Sequence, residues 1–322
     1  MSITPTTPRF IELHHPDAQS LRDELAAGLS AEPAHIAPKF LYDALGSRLF
    51  EAITELPEYY PTRTEATIFE RHAADIARAI GPAATLIDLG AGNCEKAARL
   101  FATLQPARYV AVDISVNFVR GALTSLQQRF PTLPMLGVGL DFSHSLALPA
   151  QAVAGRPAFF YPGSSIGNFT PEAALPFLRS IRDTCQGGGL LIGVDLVKPV
   201  DVLEPAYDDA LGVTAAFNLN LLLHLNRLIG SDFALRQWKH VALFNAAASR
   251  IEMHLEAREA LRVRWIRGER KFAAGERIHT ENSYKYTPQA FTALLRDAGF
   301  TDVQAWYDER RWFAQFWARG RS

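Results

Sequence analysis

Five short apolar runs, each followed by an acid, a glycine-rich turn or both, leave this chain few folds to choose from. They are residues 84–89 (ATLIDL, then Gly90), 109–112 (YVAV, then Asp113), 136–140 (LGVGL, then Asp141), 158–161 (AFFY, then the turn 162–167) and 190–194 (LLIGV, then Asp195). Runs without polar alternation are strands buried on both faces. Helical segments at 94–104, 117–129 and 171–184 separate them. Strands alternating with helices at this spacing predict an α/β fold, a doubly wound parallel sheet.

The alternation stops at about residue 199. The stretch 199–285 holds one long helical segment (214–228) and two β-like runs (251–257 and 261–266). The α/β pattern then resumes with helix 288–298, Gly299 as its C-cap, and a final hairpin of strands 301–307 and 312–318. Before the first run come helices at 18–29 and 47–54. The stretch 56–62, two prolines bracketing two tyrosines, is extended or turning, and helix 65–80 follows. The expected organisation is a sheet domain of residues 62–198 plus 286–322. A smaller α+β domain is expected from residues 1–61 plus the insertion 199–285. A chain of 322 residues fits two domains.

Charge and composition remove several classes. With 33 Lys+Arg against 34 Asp+Glu the net charge is −1, unlike a domain that neutralises nucleic-acid phosphates. No run approaches the roughly 18 apolar residues that span a bilayer, and the N-terminus shows no secretory pattern. Cys94 and Cys185 are too few for a disulfide framework or a zinc site and suit a reducing cytosol. A cytoplasmic chain with neither nucleic-acid nor membrane partner is expected, acting as a monomer on a small molecule.

Open parallel sheets bind ligands beyond the carboxyl ends of their strands, near the point where strand order reverses. Asp88, Gly90 and Gly92 lie at the first such end, and Asp113 closes the second run, 21 residues past Gly92. An acid at that distance is placed to hydrogen-bond ribose hydroxyls, and the glycines let a ligand approach the backbone. A glycine turn after a strand also occurs without any ligand, and both meanings stand at this point. The dinucleotide version needs a third glycine where this chain has Glu95, whose carboxylate at a helix start repels a diphosphate. S-adenosylmethionine has no phosphate and carries a sulfonium and an ammonium, which suit Asp88, Asp113 and Asp141. That methyl donor is favoured over NAD.

Other candidates have two meanings each. Asp141-Phe142 is either a helix cap with a core ring, or a partner for an adenine amino group and its ring. Lys96 is either a surface charge or the counter-ion of the donor's carboxylate. Asn168, at the end of a turn rich in glycine and serine, is either near a helix cap or, with Thr170 as the cap, free for substrate. Glu281, Ser283 and Lys285 share one face of an extended segment, either a solvated edge or a binding surface. Tyr42, Tyr59, Tyr60 and Tyr207 are core aromatics or polar-tipped site residues. The histidines show no metal-ligand spacing, so no metal is expected, and neither a serine-nucleophile elbow nor a phosphate loop is present.

Taken together, several strings resemble the L-histidine Nα-methyltransferases of ergothioneine biosynthesis, from about residue 18 to the C-terminus. They are Lys39-Phe40-Leu41-Tyr42-Asp43, Gly46-Ser47, residues 56–65 (LPEYYPTRTE), residues 162–168 (PGSSIGN), Tyr207-Asp208-Asp209 and Thr280-Glu281-Asn282-Ser283. The resemblance implies a Rossmann-like methyltransferase domain with a substrate domain from the N-terminus and the insertion. It implies three methyl transfers from S-adenosylmethionine to the α-amino nitrogen of histidine, giving the betaine hercynine. By motif, Asp88, Gly90, Gly92, Lys96, Asp113, Asp141 and Phe142 bind the donor. Asn168 and Tyr207 hold the amino and carboxylate ends, with Tyr42 and Tyr59 beside them, Glu281 and Ser283 grip the imidazole, and Asn282 belongs to the same substrate-binding set. Tyr42, Tyr59 and Asn168 form the catalytic set.

The residue types agree with such chemistry. The sulfonium is already activated, so the protein contributes orientation and electrostatics. Aromatic faces stabilise a growing trimethylammonium. The competing activities are methylation of another amino acid or of a protein side chain, donor binding without catalysis and, against the position of Glu95, NAD-dependent oxidation.

Overall fold

The computed structural model describes residues 6–13, 17–143, 145–185 and 187–320. In chain order the elements are β1 (Arg9–Glu12), α1 (Ala18–Ser30), β2 (Ala34–His35), α2 (Ala44–Thr54), α3 (Tyr60–Ile80), β3 (Ala84–Leu89), α4 (Glu95–Leu104), β4 (Arg108–Asp113), α5 (Val116–Arg129) and β5 (Met135–Gly139). Then come β6 (Arg156–Tyr161), α6 (Pro171–Thr184), β7 (Gly189–Asp195), α7 (Val200–Leu203), α8 (Val213–Ile229), β8 (Trp238–Asn245) and β9 (Arg250–Ala257). The chain closes with β10 (Leu261–Trp265), β11 (Gly268–Phe272), β12 (Arg277–Tyr284), α9 (Pro288–Asp297), β13 (Thr301–Tyr307) and β14 (Phe313–Arg319). They form two compact units. One comprises the described residues of Met1–His15, Pro61–Val197 and Lys285–Ser322, the other those of Pro16–Tyr60 and Lys198–Tyr284.

The first unit is an eight-stranded sheet in the order β1-β5-β4-β3-β6-β7-β14-β13. It is parallel from β1 to β7, and β14 runs antiparallel to both β7 and β13. The α/β doubly wound expectation holds, with strand order reversing between β3 and β6, the point where open parallel sheets leave a crevice for ligands. Adjacent residues of one strand serve different cores. Ile87, Val110, Phe159 and Ile192 fill one face, and Leu86, Ala111, Phe160 and Leu191 the other. This double burial is why the runs lack polar alternation.

Two local features differ from expectation. Arg9–Glu12, assigned by sequence with all of residues 1–61 to the second domain, pairs in parallel with β5 at the sheet edge; residues 1–5 of that assignment lie outside the described residues. A four-residue edge strand with mixed polarity carries no periodic signal. Helix α3 begins at Tyr60 rather than near Glu65. Pro61 is tolerated there because the first turn needs no amide hydrogen.

The second unit has a four-stranded sheet, β2-β12-β9-β8, and a separate hairpin, β10-β11. Sequence found β9 and β10 but not β8 or β11. Helix α8 packs on β8 and β9, burying Phe217, Leu221, Leu222 and Leu225. In β12 the register against β9 shifts between His279 and Glu281, so Thr280 is an extra, bulged residue.

In the first unit, Lys285 and Asp195 form a fully buried ion pair, 2.7 Å apart, where β7 ends. Removing one partner of such a pair takes away an attraction that offsets the burial of the other charge. Lys285→Met should destabilise the protein by about 3–5 kcal/mol, read as a lower urea midpoint in chemical denaturation.

Candidate active site

In the first unit the crevice at the end of β3 gathers the residues singled out for the donor. Gly90 and Gly92 adopt φ of +71° and +51°, a left-handed conformation that favours glycine. A Cβ on either would find nothing nearer than 3.8 Å, so backbone conformation, not crowding, calls for glycine. The Gly92 N–H donates to Asp113 Oδ2 (3.0 Å) and the Ser115 N–H to Oδ1 (2.8 Å). The carboxylate is thereby held against the glycine turn, with acceptor capacity left for a further donor. Burial raises the Asp113 pKa, while amide hydrogens from Ser115, Gly92 and Ile114 oppose that rise.

Asp88 lies beneath the turn, 1% exposed. The Tyr109 hydroxyl donates to its Oδ2 at 2.7 Å, and its Oδ1 has no hydrogen-bond partner among the described residues. Burial pushes its carboxyl up to about 7, against the Tyr109 hydrogen bond. Phe142 sits beside Gly90, whose Cβ would lie 3.8 Å from the ring's Cζ, and packs edge-on to Tyr161 and stacked with Phe177. Asp141 accepts from the Ser143 N–H (3.1 Å) and hydroxyl, forming a short turn. Lys96, in the first turn of α4, pairs with Glu65 at 2.7 Å.

Asn168 ends the short 3-10 helix Ser165–Asn168 and is half-buried. Thr170 caps α6 by accepting from the Ala173 N–H at 3.3 Å, so Asn168 is not the cap.

These residues fit S-adenosylmethionine. The glycine turn with Asp113 suits a ribose diol, and the acids suit a cation. Glu95 as the first residue of α4 disfavours a diphosphate.

The second unit gathers the other set. The bulge at Thr280 puts Glu281 and Ser283, opposite Met253 and Ile251, on the same buried face of β12 as Ile278. Ser283 Oγ and the Tyr207 hydroxyl are hydrogen-bonded at 2.8 Å. Tyr207 lies 6.2 Å from Tyr59 between ring centroids, and Tyr59 contacts Phe50, which contacts Tyr42 and Phe217. Asp43 accepts from the Gly46 N–H, capping α2, and from Asn220 of α8, which fixes the neighbouring Tyr42. Asn282 is not brought to Glu281 and Ser283. It turns to the opposite face, where the His279 Nε2–H donates to its Oδ1 at 2.8 Å.

Sequence reasoning missed Phe50, Phe217 and His240. His240 Nδ1 accepts from Asn218 (2.9 Å), so its Nε2–H donates to the Tyr207 carbonyl (2.8 Å). Burial lowers its pKa and favours this neutral tautomer. Phe50 and Phe217 occupy ordinary apolar helix positions, and His240 lies in an unrecognised strand, so no local signal marked them.

Among the described residues no group of His, Cys, Asp or Glu could hold a metal, and no helix is long and apolar enough to cross a membrane. The sheet order, the antiparallel strand β14 set between β7 and β13, and the glycine turn facing a strand-end acid are those of an α/β fold of the methyltransferase type. The family model described as "Histidine-specific methyltransferase, SAM-dependent" matches residues 21–320, and the chain belongs to that family. It is 43% identical over 298 residues to histidine N-alpha-methyltransferase of Mycolicibacterium smegmatis, covering 90% of this chain and 92% of that protein. The Mycobacterium tuberculosis protein of the same name is 40% identical, with the same coverage. Ergothioneine biosynthesis protein 1 of Neurospora crassa is 30% identical over 85% of this chain and 32% of its own length.

Asp113→Ala removes the acceptor facing the glycine turn. Each lost charge-assisted hydrogen bond is worth about 1.5–3 kcal/mol, so donor affinity by calorimetry should fall at least about tenfold while the circular-dichroism spectrum is retained.

Proposed function

We propose that this protein transfers methyl groups from S-adenosylmethionine to the α-amino nitrogen of L-histidine, three times, giving hercynine for ergothioneine biosynthesis. The observation that carries the proposal is the match over residues 21–320 to the histidine-specific family. The pairing of Glu281 and Ser283 on one buried face of β12 supports the same substrate.

The donor supplies a methyl group on a cationic sulfur, and the protein's residues do the rest by binding and orienting. Asp113 and the Gly90 and Gly92 turn hold the nucleoside, Asp141 and Phe142 the base, and Lys96 the carboxylate. Asp88, tied to Tyr109 beneath that turn, completes the donor set. Glu281 and Ser283 select the imidazole, as an acceptor and a donor for its two ring nitrogens. Tyr207 and Asn168 orient the amino-acid backbone. Tyr59 and Tyr42 present aromatic faces that favour the cation as the amine becomes quaternary. The amine sheds a proton so that its lone pair can attack, with a tyrosine hydroxyl, a carboxylate or water as acceptor. Asn282 is left out of this set by its opposite orientation.

The sheet unit is the donor domain and the second unit the substrate domain. The protein acts in the cytoplasm, without nucleic-acid or membrane partners. It acts as a monomer, for which light scattering should give a mass near 35.6 kDa.

Mass spectrometry of histidine incubated with protein and donor should show mono-, di- and trimethyl products, with NMR placing every methyl on the α-nitrogen. An aliphatic amino acid or phenylalanine offers no ring nitrogen to Glu281 and Ser283, and tryptophan only one N–H, so hydrogen bonds worth about 0.5–3 kcal/mol each are lost. Sites of this kind reject such analogues by up to about 10⁴-fold. Glu281→Ala should therefore raise KM for histidine and narrow its kcat/KM advantage over tryptophan and phenylalanine. Methyl on the imidazole, or an unchanged preference in Glu281→Ala, would refute the assignment.

A further inference from the structure

Glu65, in the second turn of α3, is 1% exposed, and one carboxylate there gathers several elements of the sheet unit. Its Oε1 accepts from the Gly163 N–H (2.8 Å), in the turn after β6, and from Gln315 Nε2 on β14 (2.7 Å). Its Oε2 lies 2.7 Å from Lys96 Nζ on α4. Two glycines make room for this cluster. A Cβ at Gly193 on β7 would stand 2.4 Å from Glu65 Oε1 and 2.8 Å from Gln315 Nε2. A Cβ at Gly163, where φ is +72°, would stand 2.7 Å from Lys96 Nζ.

We propose that Glu65 is the positioning residue of the donor site, fixing the Lys96 ammonium over the Gly163 turn so that it meets the donor's carboxylate. The proposal rests on the assignment of Lys96 to the donor. A buried carboxylate is an expensive way to join helix and sheet, since apolar groups of equal volume do so without desolvating a charge. Its charged partner, Lys96, keeps a third of its side chain exposed while the glutamate is sealed away. Lys96 lies in the first turn of α4, which starts directly after the Gly90–Gly92 turn, so the pair stands beside that turn. A lysine on a flexible stem would otherwise spread its charge over many rotamers. Anchored from behind, it presents one orientation to an incoming anion.

Glu65→Gln separates this role from scaffolding. The amide oxygen keeps the Gly163 and Gln315 hydrogen bonds, whereas the neutral amide nitrogen forms no ion pair with Lys96. Titration calorimetry with S-adenosylhomocysteine, which keeps the donor's carboxylate, is the readout, with thermal melting confirming that each variant is folded. Glu65→Gln and Lys96→Met should each weaken binding at least about tenfold. The double variant should be no weaker than either, and KM for histidine should move less than KM for the donor. Glu65→Asp, which keeps the charge on a shorter stem, should recover part of the affinity and serves as the test if the Gln variant does not fold. Unchanged or tighter binding in Glu65→Gln, with a loss in Lys96→Met, would overturn the role of Glu65. Full additivity in the double variant would also overturn it. Unchanged binding in Lys96→Met would overturn the donor assignment of Lys96 itself, and the proposal with it.

Discussion

Burial of the central strands on both faces is the constraint on which the sheet unit depends. Ile87 and Leu86 of β3 pack into different cores, as do Phe159 and Phe160 of β6. With both faces closed, polar chemistry is driven to the strand ends, and the reversal of order between β3 and β6 opens the crevice there. Asp88, Gly90, Asp113 and the turn carrying Asn168 cluster at this edge because the sheet leaves them nowhere else.

The electrostatics of that edge follow from the same burial. Asp88 is sealed under the turn, and its carboxyl rises to about 7. Asp113 remains half-buried, with Gly92 and Ser115 amides satisfying part of its oxygens. Two acids a strand apart thus differ: Asp88 is sealed against Tyr109, and Asp113 is less buried, with acceptor capacity left over. Lys96 is the nearby cation, and Glu65 holds its ammonium.

In the second unit the decisive device is one extra residue. Strict alternation already puts Glu281 and Ser283 on a common side, but does not say whether that side is the buried one. The bulge at Thr280 reverses the alternation of β12, so Ile278 and Glu281, three apart, face the same way. Asn282 goes to the other face for the same reason. Tyr207 is tied to Ser283 through its hydroxyl and to His240 through its main-chain carbonyl, so backbone and ring tip are both held beside Tyr59.

What the sequence determined by itself was local. The double burial of five strands, the Gly90 and Gly92 turn, the spacing to Asp113, and Thr170 as the α6 cap all follow from short-range pattern, because period and backbone preference act over a few residues. The family strings narrowed the chemistry further. Tertiary structure alone decided the rest. Glu65 finds Gly163 and Gln315 across 98 and 250 residues, β1 finds β5 across the sheet edge, and His240 finds Tyr207 from a strand that sequence did not show. Such contacts depend on where whole elements come to rest. A single inserted residue such as Thr280 changes which side chains face inward without altering the composition around it.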